Sequence, residues 1–530
     1  MKTKNILVVL TVVLALLHVS PSRANTITST GGGDWYSTTP DAPWPGGTVP
    51  AAGDDAIITG NVRPDSAAVT INNLTIGGSA TFFNSHTVNV TGNLNLSGTA
   101  KVQQGAALTI GGNLDLASGT TYDVSSAPVT VGGSTTVSGT LKDGSNDGAL
   151  TDLFGDVTVM SGGTWALSDV VQWSVSGNLV NNGNITATSG GITFTGSGKS
   201  ISGNATSIPK LAVEGTLQNQ VTLTVSTALT GGGTLSQAVG TTLSIGAGTV
   251  TLAALNAAAI PNTVNYSGAA QTVVNGTYHN LNLSGSGIKT FGDATINADL
   301  TVASPVRARV TGTVSVTGAT TVNFGAFLAG SGTVNGSVIV SGTIAPGTLA
   351  PGNVIGTLTL GSQPNLGGGA IAMDINRASS PNADQLLVNG SPLAFAGTLA
   401  VNNTGAALQA GDSFQLFSAS AHAGTFSLVT LPVLGANLAW TNKLAVDGSI
   451  AVISTGGGSG PVLNISRSGG DLTLTWDPAT FPGYLLQSAP SANGIHSTGN
   501  TWGNLTAADA SPFTATINPG GPPVFYRLIK

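Results

Sequence analysis

The sequence predicts an all-β protein: a parallel β-helix, or β-solenoid, followed by a small C-terminal β-sandwich. Three observations carry this. Charged residues make up only 7% of the 530 and glycine accounts for 75 of them, while Thr, Ser, Asn, Val and Leu fill most of the rest. That is a β-forming, turn-rich composition with few strong helix formers. A short unit then recurs every 20 to 22 residues between Asn73 and Asn178, a period that means a solenoid or another repeat array. Finally, a Gly/Ser stretch at residues 454–460 separates this pattern from a different arrangement of strands.

Residues 1–24 read as an export signal: Lys2 and Lys4 give a positive start, Ile6 to Leu17 form an apolar run, and Ser22 and Ala24 flank a cleavage point after Ala24. The run is too short for a membrane span, which needs about 20 apolar residues, and no later segment supplies one. Loss of Lys2, Lys4 and Arg23 leaves 13 basic against 22 acidic residues, a balance of −9. Such a chain lacks the basic face that nucleic acid requires. The absence of cysteine excludes disulfides and thiolate metal sites.

Residues 25–60 have the makeup of a cap, with Trp35 and Trp44 placed to cover the apolar end of the first coil, then Pro50 and the pair Asp54–Asp55. The solenoid proper is expected over residues 61–453. Its unit reads apolar-x-apolar, two or three small or polar residues, then apolar-x-apolar and Gly. Val69 and Ile71 precede Leu74 and Ile76; Leu108 and Ile110 precede Leu114 and Leu116. Each pair alternates as a strand does, and Val69 and Ile71 are out of phase with Leu74 and Ile76, so the chain must turn between them. The corner residues Asn73, Asn93, Asn113, Ser134, Asp156 and Asn178 stand at spacings of 20, 20, 21, 22 and 22. One unit therefore suits three short strands and three turns, with coils stacked at about 4.8 Å. The asparagines are expected to stack as a ladder of amides hydrogen-bonded along the axis. A leucine-rich repeat shares this period but needs a helix-compatible convex side, which these units lack. The pattern blurs from about Gly203 to Ala259, then returns with Asn280, Asp299, Thr313, Ser337 and Thr357 as the corner residues.

Residues 454–460, "STGGGSG", form a flexible linker. Beyond it, "LTLTW", "GYLLQSA" and "VFYRLIK" give the strands of a sandwich over residues 461–530. The opening stretch "GGGDWYSTTPDAPWPGG…GDD" resembles the cap of many bacterial secreted β-helix and adhesin-like proteins. The stretch from Gly330 to Leu360, together with its continuation to Pro432, resembles the passenger-like autotransporter-associated β-strand repeat. No barrel-like run of strands comes after it, so self-transport is not implied. The last segment resembles a fibronectin III-like module and the terminal module of verrucomicrobial-type exported repeat proteins. At about 70 residues it is short for a seven-stranded sandwich of about 100.

Candidate chemistry is sparse. Carbohydrate cleavage by a β-helix needs two facing carboxylates, or a base often assisted by calcium, and the chain has one Glu, Glu214, with scattered Asp. Asp54 and Asp55 would point to opposite sides of an extended segment. Arg307 and Arg309 share one strand face, either as part of a solvated surface or to meet an anionic sugar or a phosphate. His86, His279, His422 and His496 lack metal-ligand spacing. "DGSNDGALTD" places Asp143, Ser145, Asp147 and Asp152 as a candidate calcium loop, without the bidentate acid at its twelfth position, where Phe154 stands. The sequence thus points to a non-catalytic secreted or cell-surface solenoid, adhesin-like or structural, in a Gram-negative-type envelope, with cell-envelope or extracellular polysaccharide as the expected partner. A polysaccharide-active or glycan-binding β-helix is the alternative.

Overall fold

The computed structural model describes residues 25–530 apart from 41, 125–126, 144–151, 168–171, 348–353, 456–459, 491–501, 508 and 517–523. The proposed signal peptide and most of the Gly-rich linker lie outside the described residues. The chain divides into two compact units. The first holds most residues to 449, and the second gathers 407–413, 433–442 and 450–530.

The first unit is a parallel β-solenoid with three faces per coil. On the first face, Leu74–Ile76, Leu94–Leu96, Leu114–Leu116 and Thr135–Val137 pair in parallel and in register. On the second, Thr81–Asn84, Lys101–Gln104 and Thr121–Asp123 stack in the same way. On the third, Val69–Ile71, Val88–Val90, Leu108–Ile110 and Val129–Val131 do so. Each strand alternates buried and partly exposed residues, so its apolar residues form columns along the axis. One inner column runs Leu74, Leu94, Leu114, Thr135 and Val157, all fully or almost fully buried.

The stretch where the sequence pattern blurs remains coiled. Lys199–Gly203, Thr216–Asn219, Thr234–Gln237 and Ala254–Ala257 continue the first face. From Thr206–Ser207 onward, second-face strands belong to the same sheet as the first face. The long strands Thr313–Val322 and Thr333–Val340 bend around the corner and take part in both faces. Gly336 makes one such bend. Its φ is 104°, and a Cβ there would come within 2.1 Å of the Val316 carbonyl oxygen, so only glycine fits.

The third face is interrupted. A ten-stranded sheet ends at Thr249–Val250, and a separate eight-stranded sheet begins at Gln271–Val273.

At the start of the solenoid, Trp35 and Trp44 are fully buried. Their rings meet edge to face at 4.9 Å, and Trp35 packs edge to face on Phe82 at 6.4 Å. The Trp44 indole N–H donates to the Trp35 carbonyl at 2.6 Å.

The second unit contains two small antiparallel sheets. One orders Asn464–Ser468, Asp471–Thr475 and Phe513–Thr516; the other, Gly503–Asn504, Leu485–Pro490 and Val524–Ile529. Leu474, Trp476 and Leu486 form their buried core, with Leu472, Phe513 and Tyr526 against it.

Two buried threonines break the apolar columns. Thr135 and Thr320 are fully buried, and their hydroxyls have no hydrogen-bond partner. Thr320 stands between Leu300 and Val338 in the same way that Thr135 stands between Leu114 and Val157. Replacing either by valine removes an unsatisfied hydroxyl and keeps the shape. Each substitution is expected to stabilise the solenoid by about 1–2 kcal/mol, read as a rise in chemical-denaturation midpoint. A fall for both variants would show that the hydroxyls are satisfied in solution.

Candidate functional site

The polar residues fall into two groups: those that hold coils together, and those that line outer grooves. The corner ladder belongs to the first. The Asn73 side-chain oxygen accepts the main-chain N–H of Asn93 at 2.8 Å, Asn93 accepts that of Asn113 at 2.8 Å, and Asn113 accepts that of Ser134 at 2.9 Å. Asp156 and Asn178 continue the pattern onto Asn178 and Ser200. The ladder therefore runs from side chain to backbone, not from amide to amide as expected. The main-chain N–H at a corner has no sheet partner, and the side-chain oxygen of the preceding coil meets that need.

In the second half the corner assignment needs correction. Thr313 donates its N–H to Asp293 at 2.8 Å, and Asp293 comes after a third-face strand, as Asn73 does. Asn280 and Asp299 stand at the next corner, where Asp299 receives the Ala319 N–H at 2.9 Å. The odd spacing of 14 between Asp299 and Thr313 was a jump from one corner to another.

The carboxylates singled out in the sequence are similarly engaged. Asp54 accepts the N–H groups of Asn25 and Ala51, which hold its pKa below the usual carboxylate value. Asp55 accepts the Asn73 N–H and the side-chain amides of Asn72 and Asn73. Of the candidate calcium loop, Ser145 and Asp147 lie outside the described residues. Asp143 and Asp152 are both buried, and an Asp152 oxygen accepts the Val129 N–H at 3.0 Å. Among the described residues no three His, Asp or Glu are grouped so as to hold a metal. His86, His279 and His422 stand on different coils; His86 meets the Pro64 carbonyl and His422 stacks on Phe395. His496 lies outside the described residues.

Two charged residues were not recognised from sequence. Lys289 is fully buried. Its ammonium donates to the Gly268 and Ala269 carbonyls at 2.6 and 2.5 Å and to Gln271 Oε1 at 2.6 Å. Burial lowers its pKa to about 8. Strand parity carries the signal: Lys289 shares its face with the core residue Phe291, one coil after Gln271 and Val273. Asp384 is also buried. Its two oxygens accept the N–H groups of Gly356 and Asp374, each at 2.8 Å. Burial raises its pKa to about 7, against the effect of those N–H groups, and the Asp374 charge adds to the rise. Asp374, half-buried, is also raised by burial.

Outer grooves open on the solenoid unit. One of about 510 Å³ is lined by Asn61, Arg63, Thr81, Phe83 and Gln103, with Arg63 paired to Asp65 at 2.7 Å. One of about 380 Å³ is lined by Lys199, Ser200, Thr216, Gln218 and Ser236. Another, about 430 Å³, lies at the interruption of the third face and has Arg309 in its wall. Arg307 and Arg309 do share the outer side of one strand, but Arg307 stacks on Phe327 at 4.8 Å. No protein-family model matches this chain, and no curated protein is detectably similar to it. No helix among the described residues is long and apolar enough to cross a membrane.

Proposed function

We propose that the chain is an exported, non-catalytic β-solenoid of adhesin-like or structural type, acting at the cell surface or outside the cell. On this reading residues 1–24 are its export signal, 330–432 are passenger-like autotransporter-associated repeats, and 461–530 form a terminal fibronectin III-like module. The observation that supports it most is where the acids go. Asp54, Asp55, Asp156, Asp293, Asp299 and Asp384 each present an oxygen to a main-chain N–H. A carboxylate fixed in this way joins neighbouring segments and is poorly placed to exchange a proton with a substrate.

Incubating the mature protein with acidic and neutral polysaccharides is expected to release neither reducing ends nor unsaturated products. Release that disappears in Asp374→Asn would overturn the proposal, because Asp374 combines partial exposure with a raised pKa. One feature equips such a non-catalytic solenoid to hold a glycan, the groove beside Arg309.

A further inference from the structure

We infer that the groove at the interruption of the third face is a binding site for an anionic polysaccharide strand, with Arg309 as its anchor. The groove owes its existence to the break in the sheet. Thr249–Val250 pairs back onto Ala228–Thr230, and Gln271–Val273 pairs forward onto Ile288–Phe291, but the two belong to separate sheets. The opening between them measures about 430 Å³, within the range of about 300–1,000 Å³ typical of small-ligand sites.

The lining has the chemistry of a sugar-acid site. Thr249 and Thr251 line one side; Thr272, Thr290 and Arg309 line the other. Thr272 pairs with Thr290, and Thr290 with Arg309, so two hydroxyls and a guanidinium stand in one column along the axis. They are spaced by the coil step of about 4.8 Å, a distance comparable with the advance of one pyranose ring. A polymer lying along the column would present successive rings to successive coils.

Charge sets the ligand class. Arg309 has no ion-pair partner among the described residues and, unlike Arg307, no aromatic ring beneath it. A partly exposed guanidinium in this state has its planar donor fork available for a carboxylate or sulfate. Lys289 adds positive charge behind the wall. Its ammonium is held by neutral oxygens alone, one of them from the groove residue Gln271. This local positive field stands on a chain of net negative charge, so it is a feature of the groove and not of the whole surface. No aromatic residue lines the groove, which disfavours single-stranded nucleic acid, a ligand that needs stacking platforms.

The site deepens the proposed function by naming a ligand class, and it rests on that reading only in that the bound strand leaves uncut. The test is calorimetric titration of the mature protein with oligogalacturonate, with sulfated dextran oligomers, with neutral dextran and with oligo-dT. Binding of one or both anionic sugars is expected, weakened by added salt, with none for neutral dextran or oligo-dT. Arg309→Gln is expected to weaken binding by about tenfold or more. Thr272→Trp, which fills the groove, is expected to abolish it, and Arg307→Gln to change it less than about twofold, within the scatter of surface charges. Circular dichroism and melting should match the parent for Arg309→Gln. Preference between the two anionic oligomers identifies the carboxylate or the sulfate as the group held. The inference is overturned if neither anionic oligomer binds, if neutral dextran or oligo-dT binds as well, or if Arg309→Gln leaves affinity unchanged. Cut products in the titration cell would sink the non-catalytic reading and leave the site standing.

Discussion

Trp44→Ala is expected to cost about 3–5 kcal/mol, the range for removing a buried aromatic from a core, and to expose the start of the solenoid. Trp44 is fully buried against Trp35, which in turn reaches Phe82 on the second face. Its removal leaves a cavity beside the first coil and frees the Trp35 carbonyl of its 2.6 Å hydrogen bond. Repeat arrays contact mainly their neighbours, so the loss should remain local. Hydrogen exchange is therefore the discriminating measurement. Protection should fall in Thr26–Thr28 and Asp55–Ile58, which pair with each other, and stay unchanged beyond Asn178. The uncovered edge should also promote end-to-end association, visible in sedimentation. Trp44→Phe separates the parts, keeping most of the volume while losing the N–H. Unchanged exchange at Thr26–Thr28 in Trp44→Ala would show that the tryptophans cover nothing of consequence.

Lys289→Met is expected to destabilise the solenoid by about 2–4 kcal/mol. Two effects oppose each other. Removing the ammonium relieves its burial, but it also strips the donor from three oxygens, and each buried acceptor left unmade costs about 1–3 kcal/mol. The second effect should win, because three contacts are lost together. The pH dependence distinguishes this lysine from others. Its folded pKa of about 8 lies below the unfolded value of about 10.4. Between these values the unfolded chain binds more protons than the folded one, so this group makes stability rise as pH rises through that window. Below pH 8 both states are charged, and the full burial penalty is present. Lys289→Met should remove that slope from the difference between parent and variant melting curves, recorded from pH 7 to 10.5. A slope that persists unchanged would place the titration elsewhere.

The fold was legible because parity repeats. Val69 and Ile71 out of phase with Leu74 and Ile76 announce two strands and a corner; Leu108–Ile110 and Leu114–Leu116 share one phase, and there Gly111, Gly112 and Asn113 mark the corner. The corners of the second half misled because Asn and Asp occur there at two different turns. Asp293 and Asp299 are both corner acceptors, and spacing alone cannot say which column each joins. Lys289 was overlooked although its parity with Phe291 marks it as inward. Asp384 precedes its strand and carries no periodic signal at all; its role depends on Gly356, far off in sequence. The Arg309 groove was equally hidden. It arises from a missing pairing between Thr249–Val250 and Gln271–Val273, and the first of these strands falls in the stretch where the repeat is blurred.

The corner ladder has a direction. At each rung described, the oxygen comes from the earlier coil and the N–H from the later: Asp55 receives Asn73, Asn73 receives Asn93, Asn93 receives Asn113. The partners are separated by only about one coil, so closing each contact costs little chain entropy. A polypeptide made from its N-terminus onward thus meets, at each of these corners, an acceptor supplied by a segment already synthesised. The finished end acts as a template for the next turn, and winding can keep pace with delivery of the chain. Reversed synthesis would offer only donors awaiting oxygens not yet made. The asymmetry of a single side-chain contact, repeated at successive corners, gives the solenoid an order of assembly.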